Sequence, residues 1–321
     1  MKLYIDISKK DEIINKLKKI LSSSKFTYKN NFIIVKNFRY GYIYDKIPQI
    51  ENIDGIKKIE FKNKELMPLS YKINCYFKKP INTYKKFIIA GPCVIDNFDV
   101  FYKTSYELKK IGIDALRTPL FKPRSSPYGF EGLGLDGIKK LKSFKKEINI
   151  PFVGEVLDPR DVEKILDLFE IIQIGARNMK NYPLLKEVAK TKNIILLKRQ
   201  PKSTLKEFLF SLEYLLKYGS RKVILCERGD EISNSIPSIN IDMIKKIKKE
   251  VKVPVIADIS HSAKIRNMVI NFFKKSIKYA DGVMVEVSTK PELSLIDTKQ
   301  IININDFIKI KKTIEKYNDK I

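Results

Sequence analysis

The sequence predicts an α/β protein: a TIM-type (β/α)8 barrel preceded by a small ferredoxin-like α+β module. From about residue 86, eight apolar segments of strand length alternate with amphipathic helical segments. Those apolar segments are near-continuous, as expected of parallel strands covered on both faces. Residues 1–80 differ: their strand and helix signals follow the order βαββαβ. We therefore expect a ferredoxin-like domain over residues 1–80, with a regulatory or a purely structural role, and a catalytic barrel over residues 81–321.

In the first domain, MKLYIDI reads as a strand, residues 11–21 as a helix and FTYKNNFIIVKNF as a strand pair. YDKIPQIENIDG is a second helix candidate and IKKIEFK a last strand. The barrel strands are expected at 87–94, 114–121, 151–158, 171–176, 194–199, 222–229, 253–260 and 282–288. Helix starts support the intervening segments. Asp158-Pro159 reads as an N-cap followed by a first-turn proline. Thr204 and Glu207 have capping-box spacing, with Leu205, Phe208, Leu209 and Leu212 following on one face. No GxGxxG follows the first strand, which argues against an open dinucleotide-binding sheet.

Composition narrows the function. The chain has 321 residues, 44% of them hydrophobic, with three scattered cysteines and no apolar run long enough to span a membrane. A cytoplasmic protein without membrane or disulfide framework is expected. The net charge of +26 would ordinarily suggest nucleic acid, but only nine of the 63 basic residues are arginine and the lysines occur throughout. That mix fits a chain drifting under AT-rich coding, so no nucleic-acid partner is expected. Several of the arginines that remain (Arg117, Arg124, Arg177, Arg228) fall in or just after strand ends.

Barrel enzymes carry their reactive groups where strands exit into the βα loops. The stretch LRTPLFKPRSSPYGFEGLG places Arg117, Lys122 and Arg124 together, stiffened by Pro123 and Pro127. Glu155, Arg177, Lys198 and Arg228 mark later exits, with Cys93 at the end of the first strand. His261, the sole histidine, follows the seventh strand; Glu286 lies on the eighth and Asp297 beyond it. Arg117, Lys122, Arg177, Lys198 and Arg228 at one mouth call for an anion, and phosphate with carboxylate fits arginine's two-pronged grip. Cys93, His261, Glu286 and Asp297 would offer one sulfur, one nitrogen and two carboxylates. That set suits one divalent Mn, Fe, Co or Zn and poorly suits Mg or Ca. Taken singly, each has a plainer reading as a core residue or ion-pair partner. A Schiff-base aldolase using Lys198 is a rival that the metal set and the surplus of arginines disfavour.

These residues resemble the 3-deoxy-D-arabino-heptulosonate 7-phosphate (DAHP) synthase family, in its short type I subgroup with an N-terminal ferredoxin-like domain. The resemblance runs through IAGPC, KPRSSPYGFEGLG, EVLDPRDVE, IQIGARNMKNYPLLKEV, LLKR, ILCERG, DISHS and MVEVSTKPELSLID. It implies a metal-dependent aldol-type condensation of phosphoenolpyruvate with erythrose 4-phosphate, the first step of the shikimate pathway. It further implies that Arg117, Lys122, Arg177, Lys198 and Arg228 hold phosphoenolpyruvate, and that Lys122, Pro123, Arg124 and Ser125 contact erythrose 4-phosphate. Cys93, His261, Glu286 and Asp297 would be the metal ligands. Lys122 would supply a proton near the aldehyde oxygen, and Glu155 would help place water. Feedback by tyrosine or phenylalanine through residues 1–80, and a homotetramer, also follow from the resemblance.

The chain departs from the family pattern at Gln200 (usually glycine), Ile259 (usually proline), Ser288-Thr289 (usually His-Pro) and in a shortened segment from Asp230 to Ser235. None of these removes a proposed ligand. Two alternatives stay open. One is 3-deoxy-D-manno-octulosonate 8-phosphate synthase acting on arabinose 5-phosphate, whose first-strand motif GPCVID resembles but whose Ala-Asn-Arg-Ser is here Lys-Pro-Arg-Ser-Ser. The other is a non-catalytic phosphometabolite-binding barrel.

Overall fold

The structure, a computed structural model, describes residues 1–36, 45–124, 126–230 and 238–320. The chain divides into two compact units, Met1–Tyr71 and Lys72–Ile321.

In the first unit β1 (Lys2–Ile5), α1 (Lys10–Ile20), β2 (Lys25–Lys29), β3 (Phe32–Lys36), α2 (Ile47–Glu51) and β4 (Ile56–Glu60) succeed one another. The sheet order is β2-β3-β1-β4, with β1 antiparallel to both its neighbours. This is the ferredoxin-like arrangement the sequence predicts. Period-two burial puts Leu3 and Ile5 of β1 and Ile33 and Val35 of β3 on one face. Ile13 and Leu17, one helical turn apart, bury the facing side of α1 against them. Asp11 and Glu12 open that helix and Lys18 and Lys19 close it, matching its dipole. The end of the expected strand pair (37–38) and the start of the expected second helix segment (44) lie outside the described residues.

In the second unit eight parallel strands close into a barrel: β5 (Phe87–Gly91), β6 (Ala115–Arg117), β7 (Phe152–Glu155), β8 (Ile171–Ile174), β9 (Ile194–Lys198), β10 (Val223–Glu227), β11 (Val255–Asp258) and β12 (Gly282–Glu286). The helices that cover it include α3 (Phe98–Ile111), α4 (Gly137–Ile148), α5 (Val162–Ile165), α6 (Tyr182–Ala189), α7 (Leu205–Lys217), α8 (Ile241–Glu250), α9 (Ile259–Ala263), α10 (Arg266–Ser276) and α11 (Ile304–Asn318). Asn97 caps α3, and the capping box Thr204–Glu207 starts α7. Asp158 caps the 3-10 turn that leads into α5. No helix among the described residues is long and apolar enough to cross a membrane.

Every strand is shorter than the apolar run that announced it. β6 stops at Arg117, not at residue 121: Thr118 N–H still bonds Val153 O, but Pro119 has no N–H to continue the ladder. Cys93 and Arg228 accordingly sit just beyond β5 and β10, not at their ends.

One end of the barrel interior is filled by Phe77, Ile81, Phe87, Ile89, Ile194, Ile224, Ile256 and Met284, all buried. Phe87 alone, at 0% exposure, is worth about 1.5–3 kcal/mol in burial. Phe77 belongs to that cluster, and Cys75 N–H bonds Lys252 O. Residues 72–80 therefore pack as part of the barrel, which places the edge of the N-terminal unit at Tyr71, before residue 80.

Candidate active site

The last residues of the eight strands, in order, are Gly91, Arg117, Glu155, Ile174, Lys198, Glu227, Asp258 and Glu286. Six are charged, and all six are buried. Apart from Gln173 in β8, the strands are free of polar side chains until their final residue, and six of them then present charge at one rim, as expected of the catalytic face of a barrel. Gly91 is needed there because it adopts φ +145° and a Cβ would collide with the Arg117 carbonyl. The two strands can then approach closely beside the reactive groups.

A cavity of about 350 Å³ opens at this rim, lined by Arg117, Lys122, Arg177, Lys198, Arg228 and their neighbours Pro123, Glu155, Gln173 and His261. The structure thus brings together all five cations read from the sequence. Arg124 is exposed and is not part of the lining, and Ser125 lies outside the described residues. A larger groove of about 790 Å³ between α8 and α10 is lined by exposed Lys245, Lys274, Lys275 and Lys278. Because its cations are solvated, we place the chemistry at the rim.

The four residues expected to bind a metal also converge. One ligand atom from each of Cys93, His261, Glu286 and Asp297 lies within 4.8 Å of the other three. Donors about 2.0–2.3 Å from a common centre span at most about 4.6 Å, so the set needs little movement to close on one ion. Glu286 Oε1 is buried without a hydrogen-bond partner, while Oε2 accepts from Gln300 Nε2 at 2.7 Å. Arg117 Nη2 is the nearest cation to that oxygen, at 3.4 Å and outside ideal hydrogen-bond geometry, so Oε1 keeps lone-pair capacity that a cation between imidazole, thiol and carboxylate would use. Burial pulls His261 below the usual histidine range despite Asp258 and Glu286, favouring the neutral ring that ligates. Burial, reinforced by Glu286, pushes the Cys93 thiol well up, a bias that a bound cation opposes. Asp297, 33% exposed, reaches in from a loop at φ +57°.

Supporting residues escaped the sequence reading. Asp258 Oδ2 lies 2.6 Å from Lys198 Nζ and 2.8 Å from His261 Nδ1. Burial alone would raise its pKa, but His261 and Lys198 hold it well below the carboxylate range. Gln173 Nε2 donates to Glu155 Oε2 at 2.7 Å, and Ser260 Oγ accepts the Glu286 N–H at 2.8 Å. Behind the rim, Arg199 binds Glu227 through Nε (2.5 Å) and Nη2 (2.9 Å) and Asp230 through Nη2 (2.6 Å). Its Nη1 donates to the carbonyls of Gln200 and Ser203, each at 3.1 Å. Lys198-Arg199 and Glu227-Arg228 are adjacent pairs, so this network fixes the two exits that carry Lys198 and Arg228. The signal available was the doubled charge at each exit, since neighbours along a strand face opposite sides.

The departures are accommodated. Gln200 borders the cavity, Ile259 is buried at the start of α9, and Ser288 Oγ accepts the Lys290 N–H at 3.0 Å. Asp230 also accepts from Lys202 N–H (2.7 Å) and Asn240 Nδ2 (2.9 Å), tying down the segment after β10. Residues 231–235 of the shortened segment lie outside the described residues.

Comparison with known proteins agrees with this geometry. Residues 61–321 match the model of the DAHP synthetase I family. The phospho-2-dehydro-3-deoxyheptonate aldolase of Thermotoga maritima is 32% identical over 295 residues, covering 90% of this chain and 87% of its own. A crystal structure of the Thermotoga maritima phospho-2-dehydro-3-deoxyheptonate aldolase (DAHP synthase) superposes with a TM-score of 0.83 at 28% identity, covering 99% of this chain and 96% of that one. The 2-dehydro-3-deoxyphosphooctonate aldolase of Acinetobacter baumannii (strain SDF) is 34% identical over 141 residues, covering 43% of this chain and 49% of its own.

Proposed function

The chain belongs to the DAHP synthetase I family, and from that premise we propose how its residues perform the family's condensation. It joins phosphoenolpyruvate to erythrose 4-phosphate, giving 3-deoxy-D-arabino-heptulosonate 7-phosphate and phosphate, the entry to aromatic biosynthesis. The observation that carries the residue assignment is the cavity where five cations meet His261, one member of a four-donor metal set.

Arg117, Lys122, Arg177, Lys198 and Arg228 grip the carboxylate and phosphate of phosphoenolpyruvate. Their fixed positions orient its methylene carbon toward the aldehyde. Lys122, Pro123, Arg124 and Ser125 receive erythrose 4-phosphate. Cys93, His261, Glu286 and Asp297 hold one divalent ion (Mn, Fe, Co or Zn), which when bound supplies Lewis acidity that orients and polarises the aldehyde oxygen. The methylene carbon attacks the aldehyde carbon, water adds to the resulting cationic carbon, and phosphate departs. Lys122, whose ammonium Cys93, Glu286 and Asp297 hold protonated against the pull of burial, delivers the proton to the aldehyde oxygen. Glu155, oriented by Gln173, places the water.

The ferredoxin-like unit binds tyrosine or phenylalanine as a feedback effector, and the enzyme works as a cytoplasmic homotetramer. Deleting residues 1–71 should abolish inhibition by either amino acid; inhibition that survives the deletion refutes this role.

The test of the reaction is phosphate release from phosphoenolpyruvate with erythrose 4-phosphate, beside arabinose 5-phosphate, with and without Mn²⁺. Chelator-sensitive turnover of the four-carbon sugar supports the reading. Turnover of arabinose 5-phosphate alone would move the chain to the sister activity, and silence with both would leave a phosphometabolite-binding barrel.

A further inference from the structure

Asp258 ends β11 and is 0% exposed. Its Oδ1 accepts the backbone N–H of His261 at 3.0 Å, which fixes the first turn of α9. Its Oδ2 faces two donors: Lys198 Nζ donates to it at 2.6 Å, while His261 Nδ1 lies 2.8 Å away without the alignment of a hydrogen bond. The other ring nitrogen, Nε2, faces Glu286 Oε1 at 3.4 Å and is therefore the nitrogen on the metal side. One anionic oxygen faces both a cation of the substrate cradle and the imidazole of the metal set.

We propose that Asp258 is a positioning residue that couples substrate binding at Lys198 to metal binding at His261. The proposal rests on the ligand assignments of the preceding subsection. An acceptor oxygen divided between two donors serves each less well than one it does not share. When the anionic groups of phosphoenolpyruvate draw on Lys198, more of Oδ2 is left for the Nδ1–H of His261. A more strongly held Nδ1–H makes Nε2 a better ligand. Substrate therefore tightens metal binding, and by linkage the metal tightens substrate binding by the same factor.

The chain contains one histidine, so untagged protein labelled with ¹⁵N-histidine presents a single imidazole to NMR. In the Zn²⁺-loaded protein, phosphoenolpyruvate should move the Nδ1–H proton of His261 downfield. Chelator competition should show Zn²⁺ binding about 5–150-fold tighter with phosphoenolpyruvate present, the usual span of such coupling. In Asp258→Asn the substrate-induced shift should vanish and the coupling factor fall toward one, with Zn²⁺ held about 10–100-fold more weakly. A variant that binds Zn²⁺ weakly yet keeps the full shift and coupling factor would overturn the proposal, because the direct attraction between substrate and metal would then suffice.

If Asp258→Asn fails to fold, Lys198→Met carries the test. Its Zn²⁺-loaded form, without phosphoenolpyruvate, should already show the proton displaced downfield, whereas a wild-type position overturns the coupling. A wild-type protein in which Zn²⁺ leaves the His261 resonances unmoved would refute the ligand assignment itself, and this inference with it.

Discussion

Lys122 Nζ lies 2.7 Å from Cys93 Sγ and 3.3 Å from Asp297 Oδ2, while the same side chain lines the anion cavity. One ammonium thus touches both halves of the site. Lys122→Met should lower kcat for phosphate release by about 10²–10⁴-fold, the range for loss of a positioned proton donor. Lys122→Arg should not restore it, because a planar guanidinium cannot occupy the same point between thiol and carboxylate. Steady-state kinetics alongside circular dichroism decide this: a well-folded Met variant with unchanged kcat removes Lys122 from the chemistry.

Removing the metal should silence the enzyme, and Mn²⁺ should restore it. His261→Ala should lose more than the roughly 100-fold that outer-shell changes cost, since His261 is assigned as a ligand. Full activity in His261→Ala, or in chelator-treated protein shown to be metal-free, would mean the four-residue set has another purpose.

A methyl group at Gly175 would overlap Glu155 Oε1 and little else. The far end of a glutamate side chain can swing away at the expense of its buried hydrogen bond from Gln173, so Gly175→Ala should fold with a stability loss of about 1–3 kcal/mol. Turnover should nevertheless fall if Glu155 places the reacting water. Equal losses of Tm and kcat would count against that role, since they would indicate general disruption.

Arg199 and Glu227 are each about 1% exposed or less. Arg199→Met leaves the Glu227 carboxylate buried without its partner, at a cost of about 3–5 kcal/mol. Urea unfolding should show this loss, and replacing Glu227 with Met as well should recover part of it. Retained stability in the single variant would mean water or another cation compensates.

Glu207 completes the capping box of α7 and pairs with Lys180. The Lys180 hydrogen bond, followed by those of Thr204, brings its pKa from 4.5 to about 2. The folded state thus favours the ionised form. Its contribution is complete above about pH 5 and fades as the pH falls through 4.5 toward 2. The Tm gap between wild type and Glu207→Gln should therefore be widest near neutrality and narrow steadily below pH 5. A gap independent of pH would show that the carboxylate charge is immaterial.

Much of this was legible in the sequence because barrel strands are apolar until they exit. Arg117, Lys198 and Glu286 stand out as charges within or at the end of such runs, and the expected metal and cation sets converge in three dimensions. Strand ends were not legible, for a related reason: the loops beyond them are buried too. Leu120, Val156 and Val287 are all 0% exposed outside any strand, so hydropathy continues past the strand ends. Asp258, Gln173 and Gln300 stayed hidden because their importance lies in whom they face. DISHS spells out a cap as readily as a bridge between Lys198 and His261.

The five-bond fork of Arg199 has counterparts elsewhere in the chain. Arg221 and Arg266 behave similarly, each donating to two backbone carbonyls. Lysine could supply the charge at these places but not the planar spread of donors. In a protein whose 63 basic residues include only nine arginines, those three sit where one head group serves several acceptors at once. Arg→Lys exchange there should harm the protein more than at any exposed lysine-rich helix.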